Sequence, residues 1–355
     1  MLSICLFTFD DEAAFRAWTL KDLATKLGDF RTACDAAMDP DRLRITSRMV
    51  VGPEYLFCSN RWLRYGWQIQ DLPWQQTLDL FPGSLRAGAY VVRSNAYSRR
   101  SRLRYEQAML ALSLAYPGTL VMPGTILWAH EFGNFGELVN QLGQHRRTRD
   151  RINPFYETEN ARLLSPTGNN INYHNPSDYL DQQFQNPATH VTRVVRNTSI
   201  SWWQGERVHQ YDKILDSGEA IGSANAMFLS GDYGSMQWTL NGKRIRQYIC
   251  MDHHLVAEDP LHGVANSDLT VFMSGSEAEQ AGDYPGVDAG GVFVHADTRR
   301  DRCHVRRRLP NGNLGAIAPE DNILNSGLRV LRYRVSFDLT GLPTTGVSGL
   351  AEAPF

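Results

Sequence analysis

Three side chains of the sequence are suited to catalysis and share one context. Glu54 follows Met-Val-Val-Gly-Pro, Lys213 ends Val-His-Gln-Tyr-Asp-Lys, and Cys250 ends Ile-Arg-Gln-Tyr-Ile-Cys. Each run has the composition of a β-strand. Ligands of open α/β sheets bind at the carboxyl ends of strands, where the connecting loops leave a crevice. We therefore expect the three side chains to lie on one rim of the fold.

A glutamate, a lysine and a cysteine together can carry out acyl transfer. The thiolate, rather than the thiol, attacks a carbonyl or nitrile carbon, so the cysteine needs a base. Glu54 can act as that general base. The ammonium of Lys213, together with the backbone N–H that follows Cys250, can stabilise the thiolate and the oxyanion that forms on attack. This chemistry requires no cofactor.

The elements that must position these residues indicate an α/β fold. Helical spacing of apolar residues runs from about Glu12 to Phe30, after Asp10 or Asp11 as cap, and again over Arg99–Ala115. Gln204-Gly205-Glu206 and Asn241-Gly242 predict hairpin turns. Apolar runs with strand composition alternate with the helices, at 3–9, 47–57, 119–128, 191–203, 207–213, 236–240, 243–250, 269–273, 291–295 and 330–338.

The three catalytic segments resemble motifs of the nitrilase, or carbon–nitrogen hydrolase, superfamily. Val-Gly-Pro-Glu54 resembles its Pro-Glu motif, Tyr-Asp-Lys213 its Tyr-x-Lys motif, and Ile-Cys250-Met-Asp its Ile-Cys-x-Asp motif. They stand in the family's order, and the resemblance spans roughly residues 1–338. It implies a four-layer α-β-β-α sandwich, a homodimer or higher homo-oligomer, and cysteine-dependent hydrolysis of a non-peptide C–N bond through a thioester intermediate.

The resemblance also implies further site residues. Glu219 resembles the family's second glutamate, which positions the substrate and helps to protonate the leaving nitrogen. Four neighbours of the main residues are predicted to contact the substrate or to support the site: Tyr55, Met251, His253 and His254.

The residues around the cysteine favour an amide substrate. Cys250-Met-Asp252 has the Cys-x-Asp form of amidase and carbamoylase members, so it predicts a carboxamide or N-carbamoyl substrate. The following His253-His254 differs from the Arg that is common there, so nitrile hydrolysis and acyl transfer to an amine stay open. A hypothesis of another class is a catalytically silent interaction protein on the same fold. The presence of all three reactive residues argues against it.

The composition describes a globular chain with free thiols. Of the 355 residues, 42% are hydrophobic and 21% charged, which excludes extensive disorder. A net charge of −2 gives no field that attracts nucleic acid or an anionic membrane. From the sequence we expect neither a signal peptide nor a membrane span, and its five cysteines lack CxxC spacing. We predict a cytoplasmic protein that binds a small-molecule amide, without nucleic acid, membrane or metal partners.

Two segments depart from the regular pattern. Within a single domain, 1–355, residues 130–196 form a long polar insertion with several aromatics. We interpret it as a lid over the pocket, with packing on the outside or at a dimer interface as the alternative. Residues 296–355 are predicted to be irregular, apart from the strand at 330–338. The run Arg299–Arg308 favours a solvated loop or pairing with acidic surface over a nucleic-acid or phosphate patch, and a Cys303 thiol reactive towards oxidants stays open. Substrate polar groups are predicted to bind Asn169, Asn170, Asn172 and Tyr173 of the lid.

Overall fold

The computed structural model describes residues 1–38, 47–58, 96–131, 193–214, 226–228, 231, 233–253, 266–275 and 286–340. The helices in these ranges are α1 (Glu12–Thr19), α2 (Leu23–Ala37) and α3 (Arg99–Ala115). The strands in these ranges are β1 (Leu2–Thr8), β2 (Ser47–Val51), β3 (Tyr97–Ser98), β4 (Thr119–Met122), β5 (Thr125–Glu131), β6 (Arg193–Trp203), β7 (Glu206–Asp212), β8 (Ala226–Phe228), β9 (Gln237–Leu240), β10 (Lys243–Ile249), β11 (Ser267–Ser274), β12 (Val287–Asp297), β13 (His304–Arg308), β14 (Leu314–Ile317), β15 (Asp321–Asn325) and β16 (Leu328–Val335).

The strands form two mixed sheets, so the fold is α/β as predicted. The first sheet has the order β15-β16-β1-β2-β4-β6-β5-β3, with β7 and β8 also paired to β6. The second has the order β14-β13-β12-β11-β10-β9. Parallel pairs form the centre of each sheet, β1-β2-β4 in the first and β10-β11-β12 in the second. In the described part of the chain, no helix has the length and apolar character needed to cross a membrane.

The two sheets pack face to face around one core. Ile4 and Met49 of the first sheet belong to the same buried cluster as Ile245, Val271 and Val294 of the second. Each fully buried side chain of this kind contributes about 1.5–3 kcal/mol relative to an exposed one. The other face of the first sheet packs against the helices through a second buried cluster, which includes Phe7, Trp18, Phe30, Tyr105 and Trp202.

These observations give three layers in the order α-β-β. The predicted fourth layer would cover the outer face of the second sheet. The chain segments 254–265 and 276–285, which follow β10 and β11 in sequence, lie outside the described residues. The four-layer sandwich and the single domain therefore stay predictions.

Two predicted elements are interrupted. The helical pattern that starts at Glu12 forms two helices, because Asp22 accepts a hydrogen bond from the backbone N–H of Thr25 (2.8 Å) and caps α2. Asp11 caps α1 in the same way through Ala14 N, at 2.8 Å. The strand predicted over 119–128 is divided into β4 and β5 at residues 123–124.

The strand predicted at 330–338 corresponds to β16, and the segment before it, which was predicted to be irregular, contains the strands β13 to β15. In β13 only Val305 is fully buried, so the strand shows no apolar alternation, and pairing with β12 and β14 determines its conformation. The acidic partners expected for the arginine run are present, with Arg300 next to Asp10 at 3.8 Å. Cys303 is buried, and burial raises the pKa of its thiol to about 12, which argues against the reactive thiol that the sequence left open.

Candidate active site

The backbone around Glu54 makes a sharp turn that only glycine permits. After β2, Gly52-Pro53 lies against Pro123-Gly124, between β4 and β5. A Cβ atom on Gly52 would lie 2.6 Å from the carbonyl of Pro123, and one on Gly124 would lie 2.2 Å from Pro53 O. Both positions therefore exclude larger residues. The turn carries Glu54 into the interior, where its side chain is fully buried.

Both sheets hold the Glu54 loop. The backbone N–H of Glu54 donates to Ser274 O of the second sheet at 3.3 Å. The N–H of Tyr55 donates to Thr125 Oγ1 of β5 at 2.9 Å. The loop is thus bonded to the ends of two strands from different sheets, which fixes Glu54 at the edge of the interface between the sheets.

The helical layer holds the same loop from behind. Trp18 of α1 donates its indole N–H to Leu56 O at 2.8 Å. Lys26 of α2 is fully buried and donates from Nζ to Cys58 O at 2.6 Å. Burial lowers the pKa of Lys26. These two bonds make the position of the loop depend on the first two helices.

Glu54, Lys213 and Asn197 form a buried cluster. Lys213 Nζ lies 2.8 Å from Glu54 Oε1, and Asn197 Nδ2 donates to the same oxygen at 2.8 Å. All three side chains are fully buried. The backbone N–H of Lys213, just after β7, also donates to Asn197 O at 2.8 Å. The structure therefore brings Glu54 and Lys213 into contact, as their positions at strand ends predicted.

Asn197 was missed by the sequence analysis. It lies in the middle of β6, where its amide contacts a residue 143 positions earlier in the chain. The sequence signal that could have pointed to it was its residue type. Asparagine is depleted in strands, and a buried asparagine needs hydrogen-bond partners.

Cys250 occupies a strained backbone position. Among the described residues, the non-glycine residues with positive φ are Tyr55, Gln204, Asn241, Cys250 and Ser326. Gln204, Asn241 and Ser326 each precede a glycine with positive φ in a two-residue hairpin turn, which confirms both predicted hairpins. Tyr55 (φ 58°) and Cys250 (φ 47°) have no such explanation. Strain of about 1–3 kcal/mol per residue persists mainly at functional sites.

The strained cysteine begins a turn, as nucleophiles at strand-to-helix elbows do. Cys250 follows β10 directly and opens a single 3₁₀ turn that ends at Asp252. Its side chain is partly exposed and packs against a buried cluster that includes Tyr211 and Ile214. This geometry is typical of a side chain presented at the end of a sheet for nucleophilic attack.

Asp252 bonds the cysteine turn to the lysine segment. Its carboxylate accepts from Tyr211 OH at 2.5 Å and from the backbone N–H of Ile214 at 3.0 Å. Asp252 is fully buried. Since Tyr211 and Ile214 flank Lys213 on both sides, the Asp252 carboxylate fixes the cysteine turn relative to the lysine.

We expect Asp252→Asn to impair both stability and catalysis. The N–H₂ group of an asparagine cannot accept the hydrogen bonds that Tyr211 and Ile214 donate to the carboxylate. A buried donor left without its acceptor costs roughly 1–3 kcal/mol of stability. The lysine segment would also shift relative to Cys250, which lowers kcat more than it changes KM. Thermal unfolding and steady-state kinetics measure both effects. Tyr211→Phe, which removes only one of the bonds, is the milder control. Unchanged melting temperature and kcat in Asp252→Asn would contradict this role.

The end of β11 forms the wall next to Glu54. A Cβ atom on Gly275 would lie 3.2 Å from Glu54 Oε2 and 2.9 Å from Cδ2 of Tyr55. The absence of a side chain at Gly275 therefore leaves the space in which Oε2 and the Tyr55 ring lie. The Tyr55 ring is also 5.8 Å from Lys213 Nζ, within the range of a cation–π contact.

A buried polar network lies behind this wall. The hydroxyl of Ser274 donates to the carboxylate of Asp297 and lies 2.8 Å from His295 Nε2. Because the hydroxyl proton is used on Asp297, His295 donates from Nε2 to Ser274. Burial lowers the pKa of His295 well below its ordinary value and raises the pKa of Asp297 to about 6. His295 is therefore neutral in this network.

The raised pKa of Asp297 predicts that the free energy of unfolding depends on pH. Its pKa of about 6 lies above the ordinary 3.8, so the folded state binds the proton more tightly. The contribution of Asp297 to the free energy of unfolding therefore decreases as pH rises from about 4 to about 6. Over this pH range the free energy of unfolding of the wild type should fall by on the order of 3 kcal/mol relative to that of Asp297→Asn. Denaturant unfolding at pH 4 and pH 7 measures this difference. A constant difference between the two proteins would show that the pKa of Asp297 is not raised.

The other predicted site residues are only partly described. His253 is buried, its Nδ1 lies 2.7 Å from Cys250 O, and its ring is 5.1 Å from that of Phe272. The side chain of Met251, and all of Glu219 and His254, lie outside the described residues. So does most of the predicted lid, with Asn169, Asn170, Asn172 and Tyr173. Their roles toward substrate stay predictions.

Comparisons with known proteins give only distant similarity. No family model and no curated protein matches the sequence. Among solved structures, the chain is similar to Saccharomyces cerevisiae Nit3, a member of branch 10 of the nitrilase superfamily, with 12% identity, a TM-score of 0.42, and coverage of 98% of this chain and 96% of that chain. It is also similar to a double mutant of the amidase from Nesterenkonia sp. AN1 in complex with acrylamide, with 11% identity, a TM-score of 0.37, and coverage of 93% and 90%. These TM-scores are too low to carry an argument about activity, which therefore rests on the site.

Proposed function

We propose that the protein is a cysteine-dependent hydrolase of non-peptide C–N bonds that acts on a carboxamide or N-carbamoyl group. The observation that carries the proposal is the buried Glu54–Lys213 pair, bonded to the same structural unit as the strained Cys250 turn. Buried ion pairs are weak stabilisers compared with apolar packing, so a buried pair whose lysine segment is bonded through Asp252 to the strained Cys250 turn favours a catalytic role. The three nitrilase-like motifs support the same assignment.

The first half of the proposed reaction forms a thioester. Glu54 takes the proton of the Cys250 thiol, and the thiolate attacks the carbonyl carbon of the amide. The ammonium of Lys213 and the backbone N–H of Met251 stabilise the oxyanion of the tetrahedral intermediate. Glu54 then transfers its proton to the nitrogen, the C–N bond breaks, and ammonia or an amine leaves.

The second half of the reaction restores the enzyme. Glu54 takes a proton from a water molecule, which attacks the thioester carbon. The oxyanion again lies toward Lys213. When the intermediate collapses, the C–S bond breaks, the carboxylic acid leaves, and Glu54 returns the proton to the thiolate. Each half uses Glu54 once as a base and once as an acid.

Nitrile hydrolysis and acyl transfer to an amine use the same three residues. The Cys-x-Asp form of the motif favours an amide over a nitrile, as argued from the sequence. A catalytically silent interaction protein is disfavoured, since protein binding makes no use of a buried Glu–Lys pair. We further propose that the enzyme needs no cofactor and acts in the cytoplasm as a homodimer or higher homo-oligomer.

A substrate panel tests the proposal. Ammonia release is measured for small aliphatic amides, larger aromatic amides, N-carbamoyl amino acids and the nitriles that correspond to the amides. Cys250→Ala serves as the matched control. The proposal predicts ammonia from amides or carbamoyl compounds in the wild type alone. Activity restricted to nitriles would reassign the substrate, and no activity beyond that of Cys250→Ala on any compound would favour the silent protein.

A further inference from the structure

We propose that Asn197 is a positioning residue that determines which oxygen of Glu54 receives the proton during the reaction. This inference rests on the proposed function, in which Glu54 is the general base. It assigns a different role to each of the two carboxylate oxygens.

Both close donors act on the same oxygen. Lys213 Nζ and Asn197 Nδ2 each lie 2.8 Å from Glu54 Oε1. An oxygen that accepts two N–H donors cannot also become an O–H donor toward them. The proton that Glu54 takes from Cys250 must therefore be placed on Oε2.

The other oxygen lies against a glycine. A Cβ atom on Gly275 would come within 3.2 Å of Glu54 Oε2 and within 2.9 Å of the Tyr55 ring. The glycine therefore lets Oε2 lie at this wall together with the Tyr55 ring. In our proposal Asn197 and Lys213 hold Oε1, and Oε2 takes up and releases the proton.

Asn197 is itself held rigidly. It pairs with Leu127 of β5 in the register of the first sheet, and its carbonyl accepts the backbone N–H of Lys213 at 2.8 Å. The Asn197 side chain thus binds Glu54 while its main chain binds the residue that donates to the same oxygen. Its amide must present Nδ2 to Glu54, because a carboxylate accepts and does not donate.

Asn197 belongs to a row of alternate residues on β6 that face the second sheet. Ser199 Oγ lies 3.4 Å from Met273 Sδ, and Ser201 Oγ lies 3.5 Å from Gln247 Oε1. Unlike Asn197, which donates to a carboxylate, both serines donate to neutral groups. Ser199→Ala is therefore a matched control, because it removes a buried polar atom from the same row without contact to Glu54.

Removal of the Asn197 donor should change the protonation of Glu54 in a predictable direction. Among the described residues, the charged and titratable groups around Glu54 include Lys213 from the end of β7, Tyr55 from its own loop, and, across Ser274, His295 and Asp297. Lys213 and Asn197 both donate to the charged form of Glu54. Removing one donor makes the carboxylate easier to protonate, so the acid limb of a pH profile moves to higher pH.

The experiment compares pH profiles of kcat/KM for the wild type, Asn197→Ala, Asn197→Asp and Ser199→Ala. The acid limb should move up by roughly one to two pH units in Asn197→Ala. It should move further in Asn197→Asp, which is nearly isosteric but places a second carboxylate against Glu54. Ser199→Ala should keep the wild-type profile. A lower kcat with an unmoved acid limb in both Asn197 variants would overturn the proposal and leave Asn197 a purely structural role.

A second readout separates this inference from the proposed function. The rate of Cys250 alkylation by iodoacetamide is measured against pH in the same proteins and needs no turnover. If no amide is hydrolysed but the alkylation profile shifts in the Asn197 variants, the hydrolase assignment fails and the role of Asn197 stands. If alkylation profiles coincide in all four proteins, the role of Asn197 is wrong whether or not amides are hydrolysed. If Asn197→Ala does not fold, the near-isosteric Asn197→Asp decides.

Discussion

Cys250→Ala is expected to lose amide hydrolysis by a factor on the order of 10⁶ in kcat, the scale found when a nucleophile that acts as one unit with its base is removed. The reason is that no other group at the end of β10 can form the thioester. Cys250→Ser should be nearly as inactive, because an alcohol holds its proton much more tightly than a thiol. Ammonia release under saturating substrate measures both variants.

The fold should survive these substitutions. Cys250 is partly exposed and its sulfur is a small part of the cluster it contacts, so the melting temperature should change little. An inactive but unfolded variant would therefore give no support. Near-native kcat in a folded Cys250→Ala protein would show that Cys250 is not the nucleophile.

The Glu54–Lys213 pair is expected to show strong coupling in both activity and stability. Glu54→Gln should lower kcat by about 10²–10⁴, as the loss of a general base does. Lys213→Met should lower kcat by about 10²–10³, as the loss of an oxyanion donor does. KM should change much less than kcat in both, because the two groups act mainly on the transition state.

Stability provides an independent readout of the same pair. Each single variant leaves one buried group without its charged partner, at a cost of about 3–5 kcal/mol. The double variant Glu54→Gln/Lys213→Met buries no unpaired charge, so it should be more stable than either single variant while staying inactive. Urea unfolding of the four proteins gives this double-mutant cycle. Additive losses of stability, or an effect confined to KM, would mean that the pair does not act as a unit.

The sequence contained enough information to locate the strand ends that carry the site. Apolar runs before Glu54, Lys213 and Cys250 predicted strands, and β2, β7 and β10 end at or shortly before these residues. Asn241-Gly242 predicted its hairpin because that pair suits two consecutive positive φ angles. Such signals involve neighbouring residues, so they can be recognised from the sequence alone.

Other elements depended on contacts between distant segments. Strand β13 consists mostly of partly exposed arginines, and its pairing with β12 and β14 determines a conformation that the residue pattern does not indicate. The apolar spacing that predicted one long helix continues across the cap at Asp22, so the break between α1 and α2 was hidden. Local capping here outweighs periodicity.

The supporting residues of the site were the hardest to predict. Asn197 contacts Glu54 across 143 positions, and Asp252 contacts Ile214 across 38. Nothing in the spacing of these residues reveals the contacts, because they arise only when β6, β7 and β10 are packed together. The sequence therefore predicted the strand ends at which Glu54, Lys213 and Cys250 lie, while the contacts that orient them required the structure.

The central claim is that Cys250 forms a covalent acyl intermediate in turnover. It is tested most directly by mixing the enzyme with an amide that it hydrolyses, quenching in acid within the first turnovers, and measuring intact mass and peptide masses. We predict an added acyl group on the Cys250 peptide that hydroxylamine removes and that is absent in Cys250→Ala. Hydrolysis that continues in Cys250→Ala, or an acyl group found on another residue, would contradict the account.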